Sequence, residues 1–105
     1  MSIQKTILPK KGVCKVNFVL PEAIINHAKK VAIVGDFNDW HPGKHLMRKN
    51  KNGEFARTLE LPLGKRYQFR YLIDSSKWES DWDADDLAKA PFAETYNSVV
   101  DCQIH

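Results

Sequence analysis

Four side chains combine the properties needed to hold a flat, polyhydroxylated ligand: Trp40, Trp78, Arg70 and Asn97. Trp40 closes the stretch Val31–Trp40, V-A-I-V-G-D-F-N-D-W, in which a short apolar run stops at a glycine. An indole just past the end of a strand, on a turn of Gly, Asp and Asn, is poorly placed for burial and well placed to meet a ligand. Its flat face is a platform for a sugar ring, a base or another aromatic. Arg70 belongs to the alternating run Tyr67, Phe69, Tyr71, Ile73 against Arg66, Gln68, Arg70, Leu72. If the aromatics point inward, Arg70 and Gln68 point outward. Trp78 follows the turn Asp74-Ser75-Ser76-Lys77. In the last run Tyr96, Val100 and Cys102 fill one face, so Thr95, Asn97 and Val99 share the other. Two loop indoles with an outward Arg and Asn suit a pyranose, which offers C–H bonds to an indole face and hydroxyls to polar groups. Each stack is worth about 1–3 kcal/mol by analogy with bases on protein aromatics. Two stacks and a few hydrogen bonds, less the cost of association, give a dissociation constant on the order of micromolar to millimolar.

The elements that must position these residues are strands. Cys14, Val16, Phe18 and Leu20 alternate with Val13, Lys15, Asn17 and Val19, and Phe55, Arg57, Leu59 and Leu61 alternate with Glu54, Ala56, Thr58 and Glu60. Each pattern fits a strand with one buried face. Turn signals fall between them at Lys11-Gly12, Gly35-Asp36, Pro42-Gly43, Asn52-Gly53 and Leu63-Gly64. About seven short strands at this spacing predict an all-β, immunoglobulin-like antiparallel β-sandwich, with residues 1–12 an extension or edge strand and 13–105 a single domain. Only Glu22–Lys29 and Asp85–Lys89 are expected to hold a helical turn.

Composition bounds the rest. A chain of 105 residues with 43% hydrophobic residues has room for one core and is not disordered. It contains no apolar run near the roughly 20 residues of a membrane span and no signal-peptide core, so a cytoplasmic location without membrane contact is expected. Charge is segregated: residues 1–73 hold 14 Lys/Arg against 5 Asp/Glu, whereas 74–105 hold 2 against 8. Two solvated faces of opposite sign account for this. Cys14 and Cys102 are expected as buried, reduced thiols, and no spacing suits zinc.

The same residues resemble a known family. V-A-I-V-G-D-F-N-D-W, then G-E-F-A-R-T-L-E-L-P-L-G-K-R-Y-Q-F-R-Y-L-I-D, then Trp78 and E-T-Y-N-S-V-V-D are similar to the family 48 carbohydrate-binding modules over about residues 13–103. These include the glycogen-binding domain of AMP-activated protein kinase β subunits and the early-set domains of isoamylase, pullulanase and branching enzymes. The resemblance implies two tryptophans stacking on consecutive glucoses of an α-1,4-linked chain, with a lysine and an asparagine binding hydroxyls. Carried over, these are Trp40, Trp78, Arg70 in place of the lysine, and Asn97, with Thr95 lining the site. The turn before Trp78 is one residue longer than usual, and Ala93 stands where kinase-type members carry a protruding leucine.

Structural alternatives stand beside each assignment. Trp40 would cap the sandwich core, Trp78 would lie under the Asp-rich loop, Arg70 would pair with Glu54 or Glu60, and Asn97 would satisfy a strand edge. Trp82 would pack over the sheet edge, and Phe37 belongs to the core. Asp81, Asp83, Asp85 and Asp86 fail the calcium-loop pattern: the sixth position is Asp86 rather than glycine, and Phe92 replaces the bidentate glutamate. Pro42-Gly43 separates His41 from His45. No activated nucleophile or rigid carboxylate pair is evident, so neither an enzyme nor a cofactor is expected. The leading expectation is non-catalytic binding of an α-glucan (glycogen or starch-like), with a glycogen-metabolising enzyme or regulatory subunit as a further partner. The alternative is a docking module of the same fold that has lost sugar binding. Nucleic-acid binding by the basic two-thirds ranks last.

Overall fold

A computed structural model describes residues 2–25, 27–90 and 95–104. Among these lie nine strands: β1 (Ser2–Leu8), β2 (Val13–Leu20), β3 (Val31–Gly35), β4 (Arg48–Lys49), β5 (Phe55–Pro62), β6 (Arg66–Ile73), β7 (Lys77–Glu79), β8 (Asp86–Lys89) and β9 (Tyr96–Asp101). Every pairing is antiparallel. One sheet runs β1-β2-β5-β4 and the other β3-β6-β9-β8, with β7 also paired to β6. The two pack face to face as the all-β sandwich that the alternating patterns predict.

The core lies between the sheets, where the inward positions of β2 (Cys14, Val16, Phe18, Leu20) meet those of β6 (Tyr67, Phe69, Tyr71, Ile73). Phe18 and Phe69 stack edge to face with centroids 5.1 Å apart. Phe37, half-buried, packs against both and against Tyr67, as expected of a core aromatic. Cys14 and Cys102 are buried free thiols, and burial pushes the Cys102 thiol up to about 12.

Three sequence readings are corrected. Asp86–Lys89 is strand rather than helix, because Leu87 and Ala88 pair with Ser98 and Asn97; a sheet edge overrides weak local preference. The other segment expected to hold a helical turn does so, as α1 (Glu22–Ile25). Tyr96 is exposed rather than inward, whereas Asn97, Ser98, Val99, Val100 and Cys102 are all buried. The two charge segments are not simply separate faces either. Lys5 Nζ donates to Asp85 at 2.8 Å and to the Asp101 carbonyl at 3.0 Å, and Arg66 donates to Asp86 at 2.6 Å. The hydrogen bond from Arg66 holds the Asp86 carboxyl below its usual range. Basic and acidic segments thus meet both between β1 and the second sheet and within the second sheet itself.

The apolar run of β3 is buried on both faces, so something must cover its outer side. At its end Gly35 lies so close to β6 that a Cβ there would sit 2.5 Å from the Gln68 carbonyl oxygen and 2.7 Å from Phe69 Cβ. Gly35→Ala should therefore cost about 1–3 kcal/mol, the usual penalty of overpacking. The check is urea denaturation, where a midpoint equal to that of the wild type would contradict the close approach.

Candidate functional site

The outward face of the second sheet carries the residues singled out by sequence. Register sets Val34 opposite Arg70 and Ala32 opposite Leu72 across β3 and β6. On the other flank of β6, Trp78 of β7 stands opposite Leu72, while β9 runs Phe69↔Ser98 and Gln68↔Val99. Ala32, Val34 and Leu72 form a small apolar patch on this face, separate from the main core.

Trp40 packs against that patch, half-buried. It is the cover that the outer side of β3 requires, and it caps this patch rather than the sandwich core. The turn that places it begins with the short 3-10 segment Asp36–Asn38, followed by Asp39 and Trp40 with φ of 55° and 59°. A left-handed backbone costs a bulky residue about 1–3 kcal/mol, and such outliers gather at functional sites. The Trp40 N–H closes the turn on the Gly35 carbonyl at 2.9 Å. Asp36 fixes the ring: its Oδ1 accepts from Trp40 Nε1 at 3.0 Å and its Oδ2 from the Gln68 backbone N–H at 2.8 Å. One carboxylate thus ties the indole to β6.

Trp78 is 45% exposed, so the Asp-rich loop does not cover it. The Arg70 guanidinium carbon lies 5.7 Å from the centroid of the Trp78 ring, within cation–π range. Arg70 Nε donates to Asn97 Oδ1 at 2.6 Å, and Asn97 Nδ2 donates to Gln68 Oε1 at 3.0 Å. Arg70 therefore pairs with neither Glu54 nor Glu60. Asn97 is only 5% exposed, and its bonds to Arg70 and Gln68 hold its amide in place. Thr95 is half-buried two residues before Asn97, and its carbonyl accepts from the Ala90 N–H at 2.9 Å. Ala93 lies outside the described residues.

The structure thus brings Trp40, Arg70, Trp78 and Asn97 to one sheet face, and Thr95 precedes them along β9's path. Sequence reasoning missed Asp36 and Asn38 as supports; the signal was their place inside the G-D-F-N-D-W turn. Gln68 was legible as outward, but not as the partner of Asn97. Trp82 does not pack over the sheet edge: it is 59% exposed, held out beside a buried Asp81. Asp81 accepts from the Tyr71 hydroxyl at 2.8 Å and from the Asp83 N–H at 3.0 Å, and burial raises its carboxyl above the usual range.

Residues 25–102 match the family described as the glycogen recognition site of AMP-activated protein kinase. The chain belongs to this family. The chain is also similar to part of a 1,4-alpha-glucan branching enzyme GlgB 2 of Xanthomonas campestris pv. campestris, 43% identical over 47 residues (44% of this chain, 6% of the enzyme). The branching enzyme of Bacillus subtilis is 38% identical over 64 residues (59% of this chain, 10% of the enzyme). That of Cupriavidus necator is 35% identical over 68 residues (61% and 9%). The matched stretch spans a tenth or less of these enzymes. Among the described residues no helix is long and apolar enough to cross a membrane.

If Asp36 orients the indole, Asp36→Ala should free Trp40 Nε1 and cost about 1.5–3 kcal/mol, the scale of a hydrogen bond to a charged group. In a background where Trp78 and Trp82 are phenylalanine, Trp40 emission should shift to longer wavelength. Unchanged emission and stability would rule out the orienting role.

Proposed function

We propose that this chain is a non-catalytic module that binds α-1,4-glucan chains, glycogen or starch-like, on the outer face of its second sheet. Consecutive glucose rings stack on Trp40 and Trp78, and Arg70 and Asn97 hydrogen-bond their hydroxyls, with Thr95 at the rim. The observation that carries this reading is that both indoles are set on one sheet face: Trp40 packs on the Ala32, Val34, Leu72 patch, and Trp78 stands opposite Leu72 in the register of β6 and β7. Stacking needs one free face per ring, so the packed face of Trp40 favours binding by removing rotational freedom beforehand. Membership of a glycogen-recognition family and kinship with segments of 1,4-alpha-glucan branching enzymes support glucan as the ligand.

Two acidic groups of the second sheet and its turn are already engaged. Asp36 is committed to Trp40 and Gln68, and Asp86 to Arg66. Neither forms part of the two-carboxylate arrangement that glycoside hydrolysis needs. A glycogen-metabolising enzyme or regulatory subunit would be the natural partner for such a module, acting in the cytoplasm where glycogen is handled.

Electrophoresis through gels cast with glycogen tests the reading. The wild type should be retarded, Trp40→Ala and Trp78→Ala should each lose most of the retardation, and doubling the salt should leave it almost unchanged. Wild-type mobility indifferent to glycogen would reject sugar binding and leave the docking role of the same fold. Retardation by nucleic acid that collapses with salt would point to phosphate contacts instead.

A further inference from the structure

The platform depends on where the Gly35–Trp40 turn holds its indole, and one buried amide sets that turn. Asn38 is 2% exposed. Its Oδ1 accepts from the Gly35 N–H at 3.0 Å, and its Nδ2 donates to the Ile33 carbonyl at 2.9 Å. These partners decide which end of the carboxamide is nitrogen, since the reverse setting would put oxygen against the Ile33 carbonyl and N–H against the Gly35 N–H. The second Nδ2 proton therefore belongs to the remaining neighbour, His45 Nδ1, at 2.9 Å. A ring nitrogen that accepts carries no proton. His45 must then be neutral, with its proton on Nε2.

The loop that carries His45 is held on the same strand. The Ile33 N–H donates to the His45 carbonyl at 2.9 Å, and the Met47 N–H donates to the Val31 carbonyl at 2.8 Å. Both peptide groups of Ile33 are thus engaged by the pair, one by His45 and one by Asn38. A protonated His45 would set an N–H against the Asn38 N–H, and with its backbone fixed only the ring can turn away. The Asn38 amide then loses a buried partner, at the base of a turn whose last two residues are left-handed.

We infer that neutral His45 is a positioning residue for Trp40: it accepts from Asn38, keeps the turn closed, and slackens it when the imidazole takes up a proton. The inference rests on the glucan reading of the platform. Charged and titratable groups face His45 from every side. Lys44 adjoins it, Arg57 approaches from β5, and Asp36, Glu60, Lys65 and Tyr67 line the same groove. Burial first, then the charges of Arg57 and Lys44, hold the imidazole below its usual range. The sign follows: the ring is neutral and the turn closed above its pKa, and the platform loosens as pH falls through it.

Nuclear magnetic resonance of a Trp78→Phe, Trp82→Phe protein isolates Trp40 as the one indole signal, since the chain has three tryptophans. Between about pH 8 and pH 5 the Trp40 Nε1–H resonance should shift with a single midpoint, below 6.5 and equal to that of the His45 ring. His45→Asn, whose amide oxygen can accept near the Nδ1 position at any pH, should abolish the step. His41→Asn should leave it, because that ring accepts from the Gly43 N–H instead. Calorimetry with maltoheptaose on the wild type should show affinity falling roughly fivefold across the same step, the scale of one hydrogen bond. In His45→Asn the affinity should stay level. A Trp40 signal that ignores the His45 titration, or a step that survives in His45→Asn, overturns the inference. Should maltoheptaose bind at no pH while the Trp40 step behaves as stated, the glucan reading falls and the positioning role stands.

Discussion

The Asn38 carboxamide is the interaction on which the site depends. It satisfies the Gly35 N–H, the Ile33 carbonyl and the His45 ring at once, and so folds the chain back at the end of β3. A buried amide is stabilising only when every bond is made; one left unmade costs about 1–3 kcal/mol. That constraint lets a tryptophan sit two residues later with a left-handed backbone. It also explains Gly35, where the turn leaves β3 too close to β6 for a side chain.

From that turn outward, each support serves two layers. Asp36 holds the Trp40 indole and also a backbone N–H of β6, so ring and strand move together. Trp40 covers Ala32, Val34 and Leu72 with one face, which explains why β3 is apolar on both sides. Across the patch, the chain of bonds from Gln68 through Asn97 to Arg70 sets a guanidinium beside Trp78. The result is a face ordered by folding itself, as the proposed glucan site requires.

Much of this was legible in the sequence because period-two alternation carries over directly into which face a side chain occupies. The alternation of β2, β5 and β6 placed Phe18, Leu59 and Phe69 in the core and Arg70 outside it, as the structure has them. Edges were harder. Asp86–Lys89 is too short for its own pattern to decide, and only pairing with β9 makes it a strand. Tyr96 keeps the parity of a buried position but lies at the first residue of its strand, where it is exposed. Supports that act across the chain, such as Asn38 with His45 or Asn97 with Gln68, leave no periodic trace. They follow from the turn and the register, and emerge only once the strands are paired.

What most directly tests the account is whether sugar protons touch both indoles. In a complex with maltoheptaose, the C–H protons on one face of adjacent glucose rings should give nuclear Overhauser contacts to the ring protons of Trp40 and of Trp78. Contacts to one indole alone, or to neither while the oligosaccharide binds elsewhere on the sandwich, would contradict it.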